Sequence, residues 1–182
     1  MKPLREKHRL AKKHGWSARP GCNIFVADRG AMRFDYPEDW VVRPDPDSIK
    51  LRDREPPDDD CVLAVSYMPI PIIDWTGMPV SRLVEEATKA DQRSIQGWDP
   101  IVESPRTDLE MAWRQGRFVD QVIGGNALTR LCLARRLDVQ ALLTMDCWQH
   151  DEARFAPVWE LVLDTLVLAE PIQDPLRGPQ VM

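Results

Sequence analysis

Between Val139 and Leu168 the apolar residues change their period from two to that of a helix, and this switch constrains the fold more than any other stretch of the chain. In Val139–Trp148 the odd positions 139 to 147 are all apolar while Gln140, Thr144 and Asp146 fall between them, the alternation of a strand covered on one face. After the polar break Gln149-His150-Asp151-Glu152, the residues Phe155, Val158, Trp159, Val162, Leu163 and Leu166 return at three- and four-residue steps, with Glu160 and Asp164 between them. This predicts a helix of about fifteen residues whose apolar stripe lies on the sheet that holds the strand. Asp151 stands where an N-cap residue would accept a hydrogen bond from the first helical turn.

A chain of 182 residues suits one core, because two domains of this total length would each bury little surface. No stretch approaches the roughly 20 apolar residues that a membrane span needs. The start, Met1 to His14, is basic without an apolar core segment and so does not read as a secretory signal; the expected location is cytoplasmic. Cys22, Cys61, Cys132 and Cys147 are scattered, with no C-x-x-C pair, and read as small core residues. Their even number leaves a disulfide open in an oxidising compartment.

Residues 1 to 19 hold seven Lys/Arg against one Glu, a balance of +6, which leaves −11 on the rest of a chain whose net charge is −5. The expected organisation is a basic arm over residues 1–21, one domain over 22–168 and an extended tail over 169–182 with three prolines in its first eleven residues. A basic arm suits phosphate-rich partners, but no aromatic or Gly-rich recognition motif accompanies these charges, so nucleic acid is disfavoured and a solvated arm lying on the acidic body is expected.

Within the body, Asn23–Ala27 and Ala31–Tyr36 alternate around Asp28-Arg29-Gly30 and predict a hairpin. Ser48–Asp53 alternates as a half-exposed strand, and the Pro- and Asp-rich run 54–60 reads as a surface loop. Cys61–Met68 is almost wholly apolar and predicts a central strand covered on both faces. Val80 to about Arg93 has helical spacing. Leu109, Met111 and Trp113 alternate, Gln115-Gly116 is a turn signal, Arg117–Ile123 would return, and Gly124-Gly125-Asn126 would turn again into Ala127–Arg136. Consecutive hairpins imply an antiparallel sheet, and with the helices an α+β class.

The box Phe34-Asp35-Tyr36-Pro37-Glu38-Asp39-Trp40 on a first hairpin is followed by central strands, a middle helix, hairpin strands and a final helix ending Val162-Leu163-Asp164-Thr165-Leu166. That order, over about residues 22 to 168, resembles the superfamily that joins PsbP-like photosystem proteins, the Ran-binding Mog family and the Eag chaperones of type VI secretion. The resemblance implies an antiparallel β-sheet sandwiched by helices, an α/β/α sandwich. It implies binding more than chemistry, and it transfers no functional residues.

The residues themselves assemble no reaction centre. Asp146, His150, Asp151 and Glu152 could form a metal or acid/base cluster, but their spacing divides them between strand and turn. Asp58-Asp59-Asp60 lacks the alternating ligands and closing Glu of a calcium loop, and Gly124-Gly125-Asn126 lacks the ending of a phosphate loop. Neither a catalytic set, a metal set nor a cofactor is expected. Tryptophan is abundant, with seven among thirteen aromatics, and it is the residue most favoured at binding hot spots. Trp75 and Trp98 lie in loops that flank the middle helix, and Ile70, Ile72 and Ile73 add apolar area beside Trp75. The leading expectation is a non-catalytic protein-interaction or chaperone-like module that takes a protein partner at these five residues, with a homodimer among the arrangements left open. The alternatives are a small enzyme centred on His150 and a nucleic-acid-associated protein using the basic arm.

Overall fold

Alternation in the sequence becomes strand after strand in the computed structural model, which describes residues 10–179. In chain order these are β1 (Cys22–Ala27), β2 (Met32–Pro37), β3 (Val41–Pro44), β4 (Ile49–Arg52), β5 (Cys61–Pro69), helix α1 (Val80–Lys89), β6 (Ile95–Trp98), β7 (Val102–Glu103), β8 (Glu110–Val119), β9 (Asn126–Arg136), β10 (Val139–Trp148), helix α2 (Glu152–Thr165) and β11 (Val167–Leu168). Every pairing is antiparallel. The large sheet runs β3-β4-β5-β10-β9-β8-β6, with β7 also on β8, and a small sheet runs β1-β2-β11. The α+β class expected from the hairpins and helices, and the single domain expected from the length, therefore hold. No helix among the described residues is long and apolar enough to cross a membrane.

The main core lies where α2 and the small sheet meet the large one. Phe155, Trp159, Val162 and Leu163 of α2 join Leu63 and Val65 of β5, Cys132 and Ala134 of β9, and Ala141, Leu143 and Met145 of β10. These are the alternate positions that the period of two predicted for β10, whose bounds and helix both match the sequence. The aromatic-Pro-x-x-Trp box ties the small sheet to the same helix, with the Trp40 ring edge-on to Phe155 at 6.1 Å between centroids. A second cluster forms under α1, where Val80 and Val84 pack on Ala112 of β8 and on Leu131 and Leu133 of β9. Successive residues of β9 thus serve different clusters.

Four expectations need correction. The strand covered on both faces is β9, whose residues Ala127–Arg135 are all buried; on β5 the alternate residues Val62, Ala64 and Ser66 stay half-buried, because α1 packs over β8 and β9. Gln115-Gly116 does not turn: β8 runs unbroken from Glu110 to Val119, and the missing side chain of Gly116 is used to receive the Trp98 ring. The return strand to Ile123 is absent, since residues 120–125 form the turn into β9. Asp151 occupies the N-cap position of α2 but makes no capping hydrogen bond with its side chain.

The two ends of the described residues meet. Ala169, Glu170 and Ile172 donate backbone hydrogen bonds to Ala31, Gly30 and Arg29 on the first hairpin, and Ile172 is buried there. Further on, Ala11 and Gly15 donate to the carbonyls of Leu176 and Arg177, and the Trp16 indole N–H donates to Pro175 O at 2.8 Å. Residues 1–9 of the basic arm lie outside the described residues.

Candidate functional site

The α1 face of the large sheet carries Trp75 and Trp98, each stacked against an arginine. At the start of α1, Pro79 cannot cap the helix with a side chain. Glu110 of β8 does so from across the sheet, its Oε1 accepting from Val80 N at 2.7 Å, where the helix terminus favours a negative charge. The other oxygen of Glu110 accepts from Arg135 Nη2 at 2.5 Å, and the same nitrogen donates to Met78 O at 3.0 Å. Arg135 is the register partner of Glu110, so the sheet sets this ion pair. The buried Arg135 guanidinium lies 4.7 Å from the centroid of the Trp75 ring. Two buried donors at this point, Trp75 Nε1 and Arg135 Nη1, have no hydrogen-bond partner.

The loop above this stack is held at few points. Ile70 N donates to Asp138 O, Met78 N donates to Trp75 O, and Asp74 accepts from the backbone and hydroxyl of Thr76, which hold its carboxyl below the usual carboxylate range. Around the half-buried Trp75, Ile72 is 72% exposed and Ile73 57%, and Met68 and Met78 are exposed beside them, while Ile70 is half-buried. Four of the five predicted residues therefore gather at one end of α1.

Trp98 lies at the other end. Its register partner is Gly116, six positions along β8 from Glu110, which is about 20 Å at the rise of an antiparallel strand. Its ring stacks under the Arg114 guanidinium at 5.4 Å, and Arg114 is fixed by donating to Asp99 O at 3.0 Å and to Thr88 Oγ1 at 3.3 Å. Close by, Arg93 lies over Phe118 at 4.9 Å and donates to both oxygens of Asp146, each at 3.1 Å, to Asp91 and to Thr129. Side-chain hydrogen bonds from Arg93 hold the Asp91 carboxyl below its ordinary value despite its burial. The two tryptophans thus mark opposite ends of α1 and do not line a common cleft.

The cluster around His150 is dispersed. Asp146 is bound to Arg93, and Glu152 accepts from Gln115 Nε2 at 2.9 Å and lies 3.7 Å from Arg130. His150 is left in solvent, its side chain 79% exposed and 3.4 Å from Asp151. Asp59 and Asp60 are tied to Arg52 and to Arg54 and Arg154, in a loop organised around the buried Asp53. Among the described residues no group of three or more His, Cys, Asp or Glu is arranged to hold a metal ion.

Two features escaped the sequence reading. Val122 at the β8–β9 tip is 93% exposed, with Ile123 beside it, because Asp120 accepts from both their backbone N–H groups and turns them outward. The Asp-x-x-Ile-Gly-Gly order was the available signal for that turn. The arginines beneath the aromatic rings are 16 to 60 residues from them in sequence, and no spacing rule joins such pairs.

Comparison with known proteins gives a family and a fold. Residues 23–172 match the Alr1449 family. The chain is 35% identical over 176 residues to the uncharacterized protein alr1449 of Nostoc sp. (strain PCC 7120 / SAG 25.82 / UTEX 2576), an alignment spanning 96% of this chain and 92% of that one. Among solved structures it is similar to a Bacteroides thetaiotaomicron VPI-5482 protein at TM-score 0.61 and 12% identity, with 82% of this chain covering about half (49%) of that one. It is similar to cyanobacterial PsbP (CyanoP) of Synechocystis sp. PCC 6803 at TM-score 0.59 and 13% identity, over 88% of this chain and 99% of that one. The Saccharomyces cerevisiae Ran-binding protein Mog1p follows at TM-score 0.51 and 9% identity, over 81% and 95%. The structural likeness at these low identities shows a shared fold, and the expected kinship with PsbP-like and Mog proteins is shown at that level.

Proposed function

The chain belongs to the Alr1449 family, and we propose that it is a non-catalytic interaction module, a sheet held between helices that accepts an apolar segment of another polypeptide at the start of α1. The observation that supports this reading most is the exposed pair Ile72 and Ile73 in the loop that carries Trp75, itself stacked against the buried Arg135. Exposed apolar patches on water-facing surfaces commonly mark contacts, and a tryptophan anchored on an arginine is the composition of a binding hot spot. The unpartnered Trp75 Nε1 and Arg135 Nη1 add two donors that a partner's carbonyl or carboxylate could satisfy once the loop shifts. Mog1p, which shares the fold, is a Ran-binding protein, which supports a protein as the class of partner.

The test uses the full chain, tagged, to capture proteins from the native cell. Ile72→Ser with Ile73→Ser removes exposed apolar area only, so the melting temperature should stay unchanged while the captured protein is lost. Trp75→Ser should weaken capture by about 2 kcal/mol or more, and Trp98→Ser, acting about 20 Å away, should weaken it less. Undiminished capture by the double isoleucine variant would overturn the reading. Retention of the wild type on heparin that depends on residues 1–19 would point instead to the arm, and a stoichiometric metal lost with His150→Ala would point to an enzyme.

A further inference from the structure

Cys61 and Cys147 are direct register partners on β5 and β10, and they belong to the same face of the sheet, the one that meets α2. The hydrogen bonds around Cys61 fix which kind of partners they are. Cys61 N donates to Asp53 Oδ1 at 2.9 Å, and Cys61 O accepts from Asp53 N at 3.3 Å, so both polar groups of this residue point away from β10. A residue whose N–H and C=O turn from its neighbour strand forms a non-hydrogen-bonded pair with it, where Cα atoms approach to about 4.5 Å and side chains come closest. That separation falls inside the range that a disulfide spans, about 4.4–6.8 Å. Each thiol perturbs the titration of the other, as neighbours on one sheet face do. Neither Cys22, opposite Pro37, nor Cys132, opposite Leu143 and Trp113, has a cysteine as register partner.

We propose that Cys61 and Cys147 are a thiol–disulfide switch, oxidised to a cross-strand disulfide by exchange with a low-molecular-weight disulfide. The environment divides the roles. Hydrogen bonding from Cys61, and next the nearby Arg130 cation, hold the Cys147 thiol below its ordinary value against the effect of burial, and Cys147 is the more exposed of the two. Hydrogen bonding to Cys147, then burial, push the Cys61 thiol up, so it stays protonated until needed. Cys147 is therefore the attacking thiolate and Cys61 the resolving thiol. The Cys147 sulfur attacks one sulfur of the small disulfide, whose S–S bond breaks; one small thiolate leaves and takes the proton that Cys147 released. The Cys61 sulfur then attacks the Cys147 sulfur of the mixed disulfide, giving up its proton as the second small thiolate departs. Two protein thiols are oxidised to one disulfide and the small disulfide is reduced to two thiols.

The experiment treats the reduced, folded full chain with oxidised glutathione and maps its cysteines by mass spectrometry under non-reducing conditions. The expected result is a loss of two of the four free thiols and one intramolecular peptide pair joining Cys61 to Cys147, both reversed by dithiothreitol. In Cys61→Ser the glutathione adduct should stay trapped on Cys147, whereas Cys147→Ser should leave Cys61 unmodified. The proposal is overturned if the folded wild type keeps Cys61 and Cys147 as thiols under oxidant, or if its crosslinks run through Cys22, Cys132 or a second molecule. Because the wild-type map decides alone, a variant that fails to fold does not blunt the test.

Discussion

The ring of Trp98 lies on the bare backbone of Gly116, so close that a Cβ placed on that glycine would meet Cε3 at 2.8 Å and Cζ3 at 2.9 Å. The contact fixes β6 against β8 and leaves the other side of the ring to Arg114. Gly116→Ala should therefore expel or tilt a rigid ring, costing about 1–3 kcal/mol in urea unfolding. In a Trp98→Ala background the same change should cost far less, and equal costs in both backgrounds would show that the ring does not rest there.

That glycine also shows where sequence reading stops. Gln115-Gly116 has the composition of a turn, yet the strand continues through it because the missing side chain is filled from another strand. In β10 the fully buried residues all fall on the face that meets α2, so the change of period from two to helical is legible without knowing any partner. On β9 the polar Thr129, Arg130 and Arg135 conceal a strand buried on both faces, since their burial depends on Arg93, Gln115 and Glu110, which no local pattern supplies. Trp75 and Trp98 were visible as candidates because a large ring in a Pro/Gly-rich segment must either plug the end of the core or line a groove, although Trp98 proves to end strand β6 and not to lie in a loop. Their separation along β8 was not, because it depends on register.

Trp159 is 1% exposed and meets Trp113 edge-on, 5.7 Å between centroids, at the centre of the main core. Trp159→Ala should cost about 3–5 kcal/mol, the range for an aromatic removed from a core that cannot collapse. Its indole nitrogen has no hydrogen-bond partner, so Trp159→Phe breaks no such bond and should cost less. An unmoved denaturation midpoint for the alanine variant would mean that α2 does not dock as described.

Gly30 closes the first hairpin at φ +103°, and a Cβ there would run into the carbonyl of Glu170, which passes directly over it. Backbone strain and collision act together, so Gly30→Ala should cost about 3 kcal/mol or more and should detach residues 169–172 from the hairpin. Faster amide exchange at Glu170 and Ile172, which donate to Gly30 and Arg29, would report the detachment directly.

Stability should form a plateau with two limbs. Asp91 has its carboxyl lowered by hydrogen bonds from Arg93, so its contribution is present above the unfolded value of about 3.9 and is lost as pH falls through the lower folded value. Cys61 and Cys132 have thiols raised, the first by its bond to Cys147 and by burial, the second by burial alone. Their contribution is full below the unfolded thiol value, about 8.5, and declines as pH rises beyond it, because only the unfolded chain then releases the protons. Denaturation midpoints across pH should therefore fall at both ends. Asp91→Asn should flatten the acid limb and Cys132→Ala the alkaline one.

Residues 11–16 and 175–178 hold each other by a few bonds. Ala11 N to Leu176 O at 3.0 Å, Gly15 N to Arg177 O at 2.7 Å and the Trp16 indole to Pro175 O at 2.8 Å link two exposed segments. Each bond contributes only about 0.5–1.5 kcal/mol, and ordering both segments costs backbone entropy of similar size. Removing residues 1–18 should thus shift the melting temperature by no more than about 3 °C. It should also strip Trp16 from Gly178, where the ring and the glycine's left-handed φ of +72° fit together, and open residues 173–179 to limited proteolysis. A larger fall in melting temperature, with the tail still protected, would show that the arm packs on the sheet as part of the core.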